Sequence, residues 1–307
     1  MLKGIIPPLV TFFDEMGSLD IEKNLKLIDI LIEKDVDGLL LLGSSGEFTS
    51  MTHQQKKQYV NEVIPYINQR VKCIVNVGSN VVEEAIDLAI EVEKLGADAV
   101  LIVNPFYWPL NDTQMVDYYS KIIQSTELDA YLYNVPMLSS QEVPIKVITE
   151  LLEKHENLKG IKETISDIGR YRKLIEQIRP HYPDFVILTG FDDHFTSSML
   201  IGTNGSINST AVVFPEISVN LQRALDNQNF EEVKYYQNLI CEAMQLYDIN
   251  NSFFSTFKEA VSYRWFNNEP VYHKVPFNII NPSTNSEVQR IVGKIDGKLK
   301  QVLLLGD

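Results

Sequence analysis

At 307 residues, 45% hydrophobic and 22% charged, the chain has ordinary globular composition and a core large enough to need no disulfide or metal staple. A formal net charge of −14 argues against nucleic acid as a partner, because phosphate recognition needs a basic footprint. The two cysteines, Cys73 and Cys241, lie far apart and imply no disulfide framework, which fits a reducing cytoplasm.

The N-terminal segment MLKGIIPPLVTFFDEMG carries a short apolar run interrupted by Pro7 and Pro8. It has no small-residue cleavage site, so neither a signal peptide nor a membrane span is expected. The first strand is expected in GIIPPLVT. From there, helical patterns alternate with short runs rich in Val, Ile and Leu: GLLLLG, KCIVNVG, DAVLIVNP, AYLYNVP, KGIKET, FVILTG and GSINST. LDIEKNLKLIDILIEKD, THQQKKQYVNEVIPYI, NVVEEAIDLAIEVEKLGA and DTQMVDYYSKIIQS repeat apolar residues at the spacing of one helical face. The strand runs are apolar along their whole length, as parallel strands buried on both faces require. Cys73, inside one of them, reads as a small core residue.

Eight βα units predict a closed (β/α)8 TIM barrel. An open doubly wound sheet is the alternative, but it would usually carry a GxGxxG phosphate loop, and none is present. After GSINST the rhythm stops. Residues 1–216 are expected to form the barrel and 217–307 a C-terminal helical extension of the same domain, with EEVKYYQNLICEAMQLYD and SFFSTFKEAVSYRWF as its clearest helices.

In such a barrel the chemistry gathers at the C-terminal ends of the strands. Those ends hold Gly43-Ser44-Ser45-Gly46-Glu47, Pro105-Phe106-Tyr107-Trp108, Tyr133-Asn134-Val135-Pro136, Lys162-Glu163-Thr164, Gly190-Phe191-Asp192-Asp193 and Ile207-Asn208-Ser209-Thr210. A lysine at the end of a buried strand either pairs with a carboxylate or is an amine kept out of water. A neutral amine attacks ketones to form a Schiff base, which then acts as an electron sink for a neighbouring carbanion. Tyr133 is a candidate proton carrier, or a packed core tyrosine with a satisfied hydroxyl. Ser44 and Ser45, between glycines, suit a substrate carboxylate, or simply cap the next turn.

Metal-dependent aldol chemistry would need clustered ligands. The five histidines, at 53, 155, 181, 194 and 273, show no paired spacing. His194 alone falls near the mouth. Asp192 and Asp193 are read as hydrogen-bond partners of substrate hydroxyls. No GxSxG elbow points to a hydrolase.

GSSGE, PFYW, YNVP and GIKET, in that order, are similar to the motifs of the dihydrodipicolinate synthase and N-acetylneuraminate lyase family of pyruvate-dependent class I aldolases. The resemblance covers nearly the whole chain. It implies a TIM barrel, an imine of pyruvate at Lys162 with no cofactor or metal, Tyr133 as proton relay and Ser44-Ser45 as the carboxylate site. It also implies that Tyr107 joins a hydroxyl relay at the subunit interface of a homotetramer.

Dihydrodipicolinate synthases typically place an arginine two residues beyond YNVP, where this chain has Leu138. The branch it most resembles is the 2-keto-3-deoxygluconate aldolases, through GIIPPLVTFF, VDGLLLLGSSGEF, VNPFYWPL and GFDDHFTSSMLIGTNGSINS. That implies cleavage of keto-deoxy sugar acids to pyruvate and a small hydroxyaldehyde. Thr164, Gly190, Asp192, Asp193, Ile207 and Ser209 are then expected on the substrate side, with Asn208 narrowing the pocket. Dihydrodipicolinate synthase, N-acetylneuraminate lyase and a catalytically silent binding barrel remain the alternatives. Many relatives have a glycine where this chain has Ser140, so strain or rearrangement is expected in that loop.

Overall fold

The computed structural model describes residues 1–277 and 282–305. Eight parallel strands form one sheet: β1 (Gly4–Ile5), β2 (Gly38–Leu41), β3 (Lys72–Asn76), β4 (Ala99–Val103), β5 (Asp129–Asn134), β6 (Leu158–Glu163), β7 (Val186–Thr189) and β8 (Gly205–Ser206). Each of the eight apolar runs supplies one strand. Their order is β1-β8-β7-β6-β5-β4-β3-β2.

The ring closes just beyond β1. There Pro8 bridges Leu40, Leu9 N–H donates to the Leu40 carbonyl at 2.9 Å, and Leu40 N–H donates to Pro7 at 3.0 Å. The prolines that interrupt the N-terminal run therefore sit at the seam, where short pairing suffices. The chain is a TIM barrel, not an open doubly wound sheet.

Every residue of β2, β4 and β7 is buried, the condition of a strand between barrel interior and helices. Helices His53–Ile67 and Asp112–Ile123 begin at full capping boxes, Thr52 with Gln55 and Asn111 with Gln114. Gly160, two residues before Lys162, lets β6 approach β7: a Cβ there would lie 2.3 Å from the Val186 carbonyl oxygen. No helix among the described residues is long and apolar enough to cross a membrane.

Beyond the barrel come helices Pro215–Asp226, Phe230–Ala243, Phe253–Trp265 and Pro282–Leu305. Arg264 ties three of them together. Its guanidinium pairs with Glu216 and, at 2.8 Å, with Asp296. The same packing brings helix Phe253–Trp265 and the segment after it over the top of the barrel, where the site lies.

Candidate active site

Lys162 stands near the C-terminal end of β6, opposite Tyr133 on β5 and Leu188 on β7. It is 4% exposed, and its Nζ lies 4.2 Å from the centroid of the Tyr133 ring. No carboxylate among the described residues forms an ion pair with it. Strand alternation explains this, because the next residue, Glu163, points to the other face. There Glu163 meets Arg170 (3.3 Å) and Asn134, and Arg170 also reaches Glu142 at 2.8 Å. Burial pushes the Glu163 carboxyl up to about 7, against the opposing pull of Arg170. The amine at the barrel mouth is thus held against an aromatic face rather than a counter-ion.

After β2, residues Ser44–Gly46 make one tight turn. Ser44 Oγ comes to 3.5 Å from the Tyr133 hydroxyl, and Ser45 Oγ to 2.8 Å from Ser209 Oγ. The turn ends on Glu47, in the left-handed region at φ 57°. The Glu47 side chain is fully buried, paired with Lys258 and held by His273 Nδ1 at 3.1 Å. Burial alone would raise its carboxyl, but His273 and Lys258 outweigh that and hold it below the ordinary value. Lys258 also donates to the Tyr272 carbonyl at 3.0 Å. The C-terminal extension therefore grips the last residue of GSSGE, and through it the serine turn. Sequence reading gave Glu47, Lys258 and His273 no role. Their signal was present only as charged letters inside GSSGE and FKEA and as a histidine in VYHKV.

Thr164, two residues beyond Lys162 on the same face, is buried with an unpartnered Oγ1. Gly190 is required beside it, because a Cβ at 190 would lie 1.8 Å from that oxygen. Ile207 is buried, its N–H donating to Thr189 at 2.8 Å. Asn208 is also buried, with Nδ2 on Ser206 Oγ at 3.2 Å and an unpartnered Oδ1.

The two aspartates part ways. Asp192 is fully buried and accepts from Thr210 N–H at 2.7 Å and from the Tyr247 hydroxyl at 2.8 Å. Both its oxygens are engaged inside the protein, which corrects the expectation that it faces substrate hydroxyls. Burial raises its carboxyl above the ordinary value. Asp193 is exposed. Tyr107 is 75% exposed at φ 87°, edge-on to Trp108 at 5.1 Å.

A cavity of about 350 Å³ opens beside Ser44. Val135 and Leu138 line it from the β5 loop, and Phe253, Phe254 and Phe277 from the C-terminal extension. The extension's share in the mouth went unread, since a helical period says nothing about which strand ends a helix will cover. Ser140 closes the β5 loop at φ 67°, a left-handed conformation that strains a residue with a Cβ.

The model of the dihydrodipicolinate synthetase family matches residues 1–295. The chain belongs to that family. Within it, the chain is 31% identical over 261 residues to a protein of Escherichia coli K12 provisionally named 2-dehydro-3-deoxy-D-gluconate aldolase YagE, covering 85% of this chain and 86% of that protein. It is 34% identical over 258 residues to YjhH of the same organism, provisionally named a 2-dehydro-3-deoxy-D-pentonate aldolase, covering 84% and 86%. Among solved structures it matches YagE in complex with pyruvate with a TM-score of 0.91 at 29% identity, over 96% of this chain and 99% of that one. CdNal from Clostridium difficile in complex with mannosamine matches at 0.88 and 25% identity, over 96% and 99%. As a family member the chain is an aldolase-type lyase.

Proposed function

We propose that this enzyme cleaves 2-keto-3-deoxy sugar acids to pyruvate and a short hydroxyaldehyde through an imine on Lys162. The observation that carries the reading is the buried lysine with no ion-pair partner, stacked on a tyrosine whose hydroxyl meets the serine turn.

The Lys162 amine adds to the C2 ketone and water leaves, giving a protonated imine. The C4 hydroxyl yields its proton to Tyr133, and the C3–C4 electrons pass to the imine nitrogen. The aldehyde departs, leaving an enamine. Protonation at C3 and hydrolysis by water release pyruvate and restore the amine. Ser44 relays the phenolic proton, and the Ser45 side of the turn anchors the carboxylate. The chemistry needs no metal or cofactor. The exposed Tyr107-Trp108 pair suits burial between subunits of a homotetramer, where Tyr107 would extend the hydroxyl relay.

Leu138 supports a sugar acid over aspartate semialdehyde. An apolar side chain offers nothing to a second carboxylate, for which a guanidinium fork is suited. The names of YagE and YjhH support the same class. The test is a coupled assay of pyruvate release from 2-keto-3-deoxygluconate and its pentonate analogue, against condensation of pyruvate with aspartate semialdehyde. Cleavage of a sugar acid well above the condensation rate is the expected result. Faster condensation with the semialdehyde would overturn the assignment.

A further inference from the structure

Three groups converge on the Glu47 carboxylate, all from the C-terminal extension. Lys258 Nζ and His273 Nδ1, the latter at 3.1 Å, meet Oε1, and the Lys274 N–H donates to Oε2 at 3.4 Å. A carboxylate only accepts, so Nδ1 carries the histidine proton. Nε2 of the same ring is buried with no partner among the described residues, so the one hydrogen bond of His273 goes to Glu47. The clamp is itself anchored. Tyr272 bridges Phe13, its carbonyl accepts from Lys258 at 3.0 Å, and Lys274 Nζ donates to the Gly17 carbonyl at 2.8 Å.

What the clamp holds is the backbone of the serine turn. Glu47 sits at φ 57° and ψ 31°, a conformation that a residue with a Cβ keeps only when its surroundings impose it. Its N–H donates to the Ser44 carbonyl at 3.3 Å and its carbonyl accepts from the Ser50 N–H at 2.9 Å, which closes one turn and opens the next. Gly46 leaves no slack beneath, since a Cβ there would lie 3.0 Å from the Leu9 carbonyl oxygen and 3.1 Å from Thr11 Oγ1. Ser45 Oγ is held separately, 2.8 Å from Ser209 Oγ. The segment Gly43-Ser44-Ser45-Gly46 offers a carboxylate hydroxyls and amides but no cation. Its hold on an anion therefore depends on where those atoms stand.

We propose that Glu47, Lys258 and His273 are positioning residues for the substrate carboxylate. They fix the turn so that Ser44 and Ser45 meet the carboxylate of the incoming keto acid. Their contribution falls on substrate capture. Once the imine has formed, the covalent bond to Lys162 holds the substrate, and the later steps depend less on the turn. The inference rests on the aldolase reading above, with the serine turn as the carboxylate site.

The experiment measures the half-saturation of borohydride trapping with pyruvate and with hydroxyacetone, a ketone of similar size that lacks the carboxylate. KM and kcat for sugar-acid cleavage are measured alongside. Glu47→Ala should raise the pyruvate half-saturation and KM about 10–100-fold, with kcat changed by less than about threefold. Hydroxyacetone trapping should not change. His273→Leu should act in the same direction. His273→Asn, whose amide can donate from the same place, should recover most of the affinity. The two His273 variants give the same readout should Glu47→Ala fold poorly. Variants that melt earlier but keep the wild-type pyruvate half-saturation overturn this inference and leave the aldolase reading standing. An equal loss for hydroxyacetone does the same, because it places the damage at Lys162 rather than at the carboxylate. Absence of any wild-type adduct at saturating pyruvate overturns both.

Discussion

Among the buried lysines that lie against aromatic rings, the two least exposed, Lys162 and Lys258, make opposite arrangements of the same groups. Lys162 is 4% exposed, 4.2 Å from the Tyr133 centroid, without a carboxylate, and beside the serine turn that borders a cavity. Lys258 is fully buried, 4.7 Å from the Phe13 centroid, bonded to Glu47 and to the Tyr272 carbonyl. Burial pulls the Lys258 ammonium down to about 8, against the opposing pull of Glu47. A lowered pKa taken alone would therefore nominate Lys258, which has no room for a ketone. The comparison teaches that a nucleophilic amine needs an unpaired nitrogen and adjoining space. A buried lysine with a carboxylate is instead a fastening, here between the C-terminal extension and GSSGE.

The comparison can be broken first at its catalytic end. Lys162→Ala should cut pyruvate release on the order of 10⁴-fold or more with the fold intact, measured by coupled assay alongside circular dichroism. A variant that kept more than a few per cent of activity would move the chemistry elsewhere. Tyr133→Phe should lower kcat by about 10²–10⁴-fold, because it removes the proton carrier and keeps the ring that covers Lys162. A change confined to KM would leave Tyr133 only a packing role.

At the other lysine the effect should be on stability. Lys258→Met strands Glu47 in the core and is expected to cost about 3–5 kcal/mol in urea unfolding. The double variant Lys258→Met with Glu47→Gln should recover part of that loss, since a neutral pair leaves no buried charge. Equal instability of single and double variants would show that packing, not charge, holds the extension.

Smaller effects sharpen the boundary between the two faces of β6. With its folded pKa at about 7 against an ordinary 4.5, Glu163 binds a proton more tightly in the folded state. Its contribution to stability is full below 4.5 and is lost as pH rises through about 7. Glu163→Gln should flatten that part of a midpoint-against-pH curve. The flattening should be partial, because burial raises Glu259 to about 7 as well. An unchanged slope would mean that Glu163 does not titrate there. Last, Ser140→Gly should stabilise by about 0.5–1 kcal/mol, the relief of left-handed strain less the entropy of glycine. Destabilisation would show that the Ser140 side chain holds the loop.

The alternation of apolar runs and helical periods carried the barrel, because each strand is local in sequence and buried along its length. The Lys162–Tyr133 pair was legible for a related reason, since residues at the C-terminal ends of adjacent barrel strands must be neighbours. What escaped depended on long-range packing. Nothing in FKEA shows that its lysine will meet a glutamate more than two hundred residues earlier. Nothing in FDDHF shows that Asp192 will turn inward to Thr210 and Tyr247 while Asp193 stays in solvent. The aromatic mouth was hidden likewise, being assembled from the loops after β2, β4 and β5 together with the C-terminal extension.

The central claim is that Lys162, and not the more deeply buried Lys258, is the imine-forming amine. It is tested most directly by reducing the folded enzyme with borohydride in the presence of saturating pyruvate, then mapping the modified peptide by mass spectrometry. The account predicts a single reduced pyruvyl adduct on Lys162. An adduct on Lys258, or none on a folded chain, would contradict it.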